Sequence, residues 1–377
     1  TIDGGDPFGA YRLPHLVRDL RPDAVIIQQD PWNFPLVTQP LRDEMAAGRI
    51  PWTPLIGAVA VDGKNCRGRA LRHLDLAVFW TDFGKTEAVL GGYEGLTATI
   101  PLGVDRAVFR PMDRKEARER VGLPERFPSG THRDEAFIVG YVGRNQPRKR
   151  LDLLVDYFCS WVREHGRSDA YLYCHYAPTG EDAYDLEQLM ASFGLYDNLI
   201  LSRLDRLDVG LGASPSFLAA THNCFDIYAT TTQGEGFGLP VLEAMASGRA
   251  VVAPRWSGLG DWGDSAICFV EVADEPCYTP NRINAEGRVP RKRDFIAALE
   301  TLYSSVEARK AYESRSLRLA SDPRFDWGMI GARWSGALAE FFSIPHPTTA
   351  AQRLDAESMA KAEPTLAPPE PAVASVW

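Results

Sequence analysis

Short apolar runs rich in valine and isoleucine recur along the chain, separated by longer segments whose apolar positions follow a helical repeat. The runs "AVIIQ" from Ala24, "LAVFW" from Leu76, "FIVGYV" from Phe137 and "AYLYCHY" from Ala170 predict strands buried on both faces. "NLILS" from Asn198, "DIYAT" from Asp226, "AVVAP" from Ala250 and "AICFV" from Ala266 continue the series. Helices are predicted between them over 149–165, 182–193 and 240–247. Such alternation specifies an α/β fold with parallel sheets, because each parallel pair needs a crossover and the crossover helices cover both faces.

The pattern breaks once, at "PLGVDRAVFRP" from Pro101. A charged helix, "DRKEARERVG", and a polar loop to Glu135 follow, and a fresh strand–helix series opens at Phe137. Two Rossmann-like domains are therefore expected, a first over 1–110 and a second over 111–325. "FDWGMIGARWSGALAEFF" predicts an amphipathic helix over 326–343. From 344 to 377 proline, alanine and threonine dominate and large apolar residues are few, which predicts a disordered tail.

Composition narrows the class. At 377 residues, 45% of them hydrophobic and 24% charged, the chain is long enough for two domains with cores of their own. A net charge of −9 gives no broad attraction to nucleic acid and leaves only a local basic patch as a route to that partner. No apolar run is long enough to span a bilayer. The six cysteines are scattered without a C-x-x-C pair, the pattern of reduced thiols in a cytoplasm. The seven histidines, His222 among them, lack metal-ligand spacing and are read as structural or surface residues. No serine sits in a G-x-S-x-G elbow, so hydrolase chemistry has no support.

The chemistry concentrates in "TTTQGEGFGLPVLEAMASGRAVVAP" from Thr230. A Gly-rich turn directly follows the strand "DIYAT", Pro240 suits a first helical turn and Gly248 suits its end. The segment from Gly234 to Leu239 then lies at the carboxyl end of a parallel strand and at a helix N-terminus, where α/β sheets bind ligands and anions are favoured. Glu243 is expected in the first turn of that helix, its carboxylate tilted toward the crevice. Among Val241, Leu242, Ala244, Met245 and Ala246 it would be half-buried, a costly place for a carboxylate without hydrogen-bond donors, which sugar hydroxyls supply. Alone it would read as an acid complementing the helix dipole; with Glu235, three glycines and Pro240 around it, it reads as a site. A second motif, "FIVGYVGRNQPRKRLDLLV", ends a strand at Val142, turns at Gly143 and places Arg144 at the strand's carboxyl end. Lys149 opens the next helix. Two such cations suit a diphosphate leaving group. Arg148 and Arg150 are expected on a solvated basic face.

Together "VGRNQPRK" and "GEGFGLPVLEAMASGRAVVAP" resemble the nucleotide-sugar site of retaining glycosyltransferases of family 4, which have the GT-B fold. Glu235 and Glu243 meet that family's E-x7-E spacing, and "IPLGVDRAVFRP", "GLYDNLILS" and "FDWGMIGARW" extend the likeness over roughly Leu13 to Phe342. The resemblance implies two Rossmann-like domains whose parallel sheets face a cleft, with the helix after "FDW" crossing back to the first domain. It implies that Arg144 and Lys149 bind the donor diphosphate and that Glu243 binds the ribose. Gly143 and Leu239 would join the donor site, with Glu235, Gly236, Phe237 and Gly238 on the sugar. It further implies a retaining, metal-independent transfer from a UDP- or GDP-sugar to an acceptor hydroxyl, with no cofactor and with any membrane contact made peripherally through the first domain. The absence of a D-x-D motif agrees.

The sequence departs from that family in two places. Many relatives carry a histidine after the strand matching "PDAVIIQQDPW", where this chain has Gln28, Gln29 and Asp30. Asp30 and Trp32 are candidates for the acceptor side, Asp30 facing the cleft and Trp32 stacking on a sugar; an equal reading has Asp30 capping the following helix and Trp32 in the core. Relatives also open with a strand and a glycine-rich loop, and no strand is read before Leu13, so the first domain is expected to be short of its opening strands. Two other functions fit the same anion site: a non-catalytic sugar-nucleotide-binding partner protein, and a GT-B sugar phosphorylase or epimerase.

Overall fold

The computed structural model describes residues 6, 8–176, 184–202, 212–280 and 282–344. The tail expected from 344 onward therefore lies outside the described residues, apart from Ile344 itself. In the first domain α1 (Leu13–Leu20) leads into β1 (Val25–Gln29), then α2 (Phe34–Ala46), β2 (Leu55–Val59), β3 (Leu76–Phe79), α3 (Asp82–Leu90) and β4 (Leu96–Thr99). The four strands form a parallel sheet in sequential order. Two of these strands were not legible in the apolar pattern. β2 carries Gly57, where an added Cβ would lie 2.4 Å from Leu74 Cδ1, so the gap in the run is filled by neighbours. β4, "LTAT", is an edge strand whose threonines are half-exposed.

The second domain begins with α4 (Arg114–Arg120), which Asp113 caps by accepting from the backbone amides of Lys115 and Glu116. It continues through β5 (Phe137–Val142), α5 (Leu151–His165), β6 (Ala170–His175), α6 (Leu186–Ser192) and β7 (Leu199–Leu201). Next come α7 (Pro215–Cys224), β8 (Ile227–Ala229), α8 (Leu239–Ala246), β9 (Ala250–Pro254), α9 (Ser257–Trp262) and β10 (Cys268–Val270). All six strands are parallel, in the order β10-β9-β8-β5-β6-β7. The chain builds outward from β5 in one direction and then returns to lay β8 on its other side. The strand order thus reverses between β5 and β8, and the crevice at their carboxyl ends is the place where such sheets hold ligands. β5 and β6 are buried at every position, which explains their uninterrupted apolar runs.

Beyond β10 the chain leaves the sheet as an antiparallel pair, β11 (Cys277–Tyr278) with β12 (Glu286–Gly287). This hairpin reaches the first domain: Lys64 and Glu286 exchange backbone hydrogen bonds of 2.9 and 3.0 Å, and Asn65 Nδ2 donates to Asn284 O at 2.9 Å. Helices α10 (Lys292–Ser304) and α11 (Val306–Ala320) return to the second domain. Then α12 (Trp327–Ser343), capped by Asp326, crosses to the first sheet. There Ile330 and Phe341 pack on Ile56, Leu76, Val78 and Ile100, and Arg333 donates to Thr99 O at 2.7 Å. No described helix is long and apolar enough to cross a membrane.

Candidate functional site

The loops after β5 and β8 build one surface. After Val142 the backbone passes Gly143 and Arg144, makes a 3-10 turn over Pro147–Lys149 and reaches Arg150 in the left-handed region (φ 52°). Helix α5 starts only at Leu151, so Lys149 precedes the helix that the sequence had it open. This tight turn rotates Arg148 and Lys149 inward, and the β8 loop fastens to it. Gln233 N donates to Arg148 O at 3.0 Å and Thr231 Oγ1 to Arg150 O at 2.7 Å.

Lys149 Nζ lies 2.5 Å from Glu235 Oε1, with both side chains only 12% exposed. Arg148 is not on a solvated face, contrary to the sequence expectation. Its Nη1 donates to Gly234 O at 2.6 Å and lies 3.5 Å from Glu235 Oε2, and its Nε lies 2.7 Å from Asp62 Oδ2 of the first domain. Burial alone would lower the Arg148 pKa, but Asp62, Glu235 and Asp30 hold it above the ordinary value. Burial likewise works to raise Glu235, yet Lys149 and Arg148 keep its carboxyl below the usual range. Lys149 is pulled down by burial, against the attraction of Glu235. Arg150 pairs with its neighbour Asp152 at 2.9 Å and stays out of this cluster. Arg144 is exposed, and its guanidinium has no hydrogen-bond or ion-pair partner among the described residues.

The glycines are forced by close approach. A Cβ on Gly234 would lie 1.8 Å from Asp62 O, because the first domain rests directly on this turn. Gly238 takes φ +92° as the N-cap of α8. The turn is braced from behind: Trp262 Nε1 donates to Phe237 O at 2.7 Å and its ring stacks on Phe237. Thus "GDWGDS" supports the Gly-rich turn through Trp262, and Asp261 reaches the first domain by accepting from Asp82 N at 2.8 Å. The amide N–H groups of Gly236, Phe237 and Gly238, all buried residues, meet no acceptor among the described residues. Buried amides without partners at a helix N-terminus are the groups that take an anion.

Glu243 is the fifth residue of α8, in its second turn, which corrects the expectation of a first-turn acid. Its side chain is 19% exposed, and its Oε2 lies 3.4 Å from Nε2 of the buried His222. Asp30 occupies the N-cap position of the turn Pro31–Asn33 but makes no capping hydrogen bond with its side chain. It faces the cleft instead, where burial and the nearby Asp62 carboxylate raise its pKa to about 6 against the pull of Arg148 and Arg144. Trp32 is not core: half-buried, it lines a narrow interdomain crevice with Asp62, Asn65 and Ile283. Arg148, Asp62 and His222 are the members that sequence reasoning missed. Asp62 follows an unread strand, and neither Arg148 nor His222 has a spacing signal.

Because Asp30 titrates higher folded than unfolded, the folded chain holds an extra proton between its ordinary value of 3.8 and about 6, and stability falls as pH rises through that window. Asp30→Asn is therefore expected to raise the thermal midpoint above pH 6.5 and to change it little near pH 4. A lower midpoint at pH 7.5 would mean that attraction to the two arginines outweighs burial.

Residues 136–276 match the family model described as Glycosyl transferases group 1. A D-inositol 3-phosphate glycosyltransferase of Geodermatophilus obscurus is 34% identical over 220 residues, 57% of this chain and 42% of that protein. A second, from Catenulispora acidiphila, is 32% identical over 251 residues, 60% and 55% of the two chains. The matches thus span about half the length of these curated relatives. Among solved structures, Anabaena Alr3699/HepE in complex with UDP-glucose superposes with a TM-score of 0.65 at 17% identity, over 89% of this chain and 84% of that one. Sucrose-phosphate synthase from Thermosynechococcus elongatus gives 0.62 at 15% identity, over 84% and 74%. The switch-point crevice, the paired sheets and the returning C-terminal helix accordingly belong to a GT-B fold, in which residues 136–276 are similar to group 1 glycosyltransferases.

Proposed function

We propose that this chain transfers a sugar from a nucleoside-diphosphate sugar to an acceptor hydroxyl, with retention at the anomeric carbon and without a metal or cofactor. The observation that carries this reading is the convergence of Arg148, Lys149, Glu235 and the free amides of the Gly-rich turn at the strand-order reversal. A diphosphate seated there meets Lys149, the exposed Arg144 and the α8 amides. Glu243 takes the ribose, and Glu235 with the backbone of Gly236 to Gly238 takes the sugar. The C1–diphosphate bond breaks as the acceptor oxygen bonds C1 on the same face, and the acceptor proton passes to a departing diphosphate oxygen. The protein supplies orientation and fixed positive charge. Lys149 is already neutralised by Glu235, so donor binding must share that cation between phosphate and carboxylate. Asp30 and Trp32 border the cleft on the first-domain side and are assigned to the acceptor. HepE was solved with UDP-glucose, which makes UDP-sugars the first donors to try and GDP-sugars the second. A cytoplasmic setting, in which the free cysteines stay reduced, belongs to the same reading.

Arg144→Ala tests the charge assignment. Turnover of the donor is expected to fall about tenfold, less than the ~10²–10³-fold typical of a fully enclosed donor group, with donor KM little changed. Wild-type turnover in this variant would remove Arg144 from the site.

A further inference from the structure

Glu243 carries the ribose in the reading above, and a glutamate with three rotatable bonds needs something to hold it. Among the described residues the Glu243 carboxylate has one hydrogen-bond partner, Nε2 of His222 on α7, at 3.4 Å. A carboxylate only accepts, so Nε2 carries the hydrogen. The His222 ring is fully buried and caged by aromatic neighbours, with centroids 6.1 Å from Phe109, 6.0 Å from Phe225 and 5.9 Å from Tyr228. Its other nitrogen, Nδ1, is buried without a partner. A slot of this kind would accept phenylalanine and avoid the cost of an unpartnered buried nitrogen. The imidazole is therefore kept for what its second nitrogen does.

We propose that His222 is a positioning residue of the nucleotide site: its Nε2–H binds one oxygen of Glu243 and leaves the other aimed for the ribose hydroxyls. The packing of Phe109, Phe225 and Tyr228 fixes the ring plane and so the direction of that N–H. The inference rests on the assignment of Glu243 to the ribose.

Titrating the intact chain calorimetrically with UDP and GDP tests both layers. For whichever nucleotide binds the wild type, Glu243→Ala is expected to weaken binding about tenfold or more, and His222→Phe by a similar factor, as suits a hydrogen bond to a charged group. The double variant should bind no more weakly than Glu243→Ala alone, and the thermal midpoint of His222→Phe should stay near wild type. Wild-type affinity in His222→Phe beside a weakened Glu243→Ala overturns the positioning role. Wild-type affinity in Glu243→Ala overturns the ribose assignment itself and the inference with it. Should His222→Phe fail to melt cooperatively, the matched pair His222→Gln and His222→Met decides. Both are unbranched and similar in length, but only glutamine can donate; tighter binding by the glutamine variant supports the role, and equal affinities overturn it.

Discussion

Lys149→Ala is expected to lower donor turnover by about 10²–10³-fold, the usual effect of removing one enclosed electrostatic group at a leaving group. The ammonium is 12% exposed and fixed by the 3-10 turn before α5, so its charge is little screened by water. The same substitution leaves the Glu235 carboxylate buried with Arg148, at 3.5 Å, as its one remaining ion-pair partner among the described residues, and so also destabilises the fold. The two effects separate on adding Glu235→Gln. The double variant should regain thermal stability because the unpaired charge is gone, while its turnover should stay low because the cation is still missing and Glu235 no longer holds the sugar. Release of nucleoside diphosphate from the sugar donor measures the first quantity and a melting curve the second. Turnover in Lys149→Ala within about threefold of wild type would contradict the role given to Lys149.

Asp226→Ala is expected to cost the second domain about 3–5 kcal/mol, the range for stranding one partner of a buried ion pair. Asp226 stands at the start of β8, its side chain 6% exposed, and accepts from Arg118 Nη2 at 2.9 Å, Arg114 Nη1 at 2.5 Å and Ile138 N at 2.7 Å. The Arg118 side chain is 1% exposed and has its remaining hydrogen bonds to backbone carbonyls of Arg133, Ala136 and Cys224, so it cannot follow its charge into water. The Asp226–Ile138 bond also ties β8 to β5, the two strands whose carboxyl ends carry the site. A urea titration followed by tryptophan fluorescence reads the loss; a midpoint shift equivalent to less than about 1 kcal/mol would mean that Arg118 finds another acceptor.

The second sheet was legible because its four inner strands, β9, β8, β5 and β6, are buried at every position and so read as unbroken apolar runs. The first sheet was legible only in part, since glycine interrupts β2 and threonine dilutes the edge strand β4. Of the site, the Gly-rich turn was readable from its order: strand, glycines, proline, helix. Side-chain pairing was not. Arg148 and Lys149 are adjacent cations that look alike in sequence, and the 3-10 turn sends both inward, where one meets a carboxylate of each domain and the other meets Glu235. Asp62 acquires its role only when the two domains meet at Gly234. His222 lies far from any metal-like spacing, and its one side-chain hydrogen bond among the described residues is with a glutamate from the next helix.

On the proposed reading, the crevice at the ends of β5 and β8 binds a nucleoside-diphosphate sugar. Thermal unfolding of the intact chain against UDP- and GDP-sugars, with free UDP and GDP as controls, tests it most directly. A ligand that binds only the folded chain stabilises it by about 2.7 kcal/mol at a hundredfold excess over its Kd. The predicted result is a clear rise in midpoint with the nucleotides of one base, reduced in Lys149→Ala and Glu243→Ala. A cooperative melt that no nucleotide shifts would contradict the site and everything built on it.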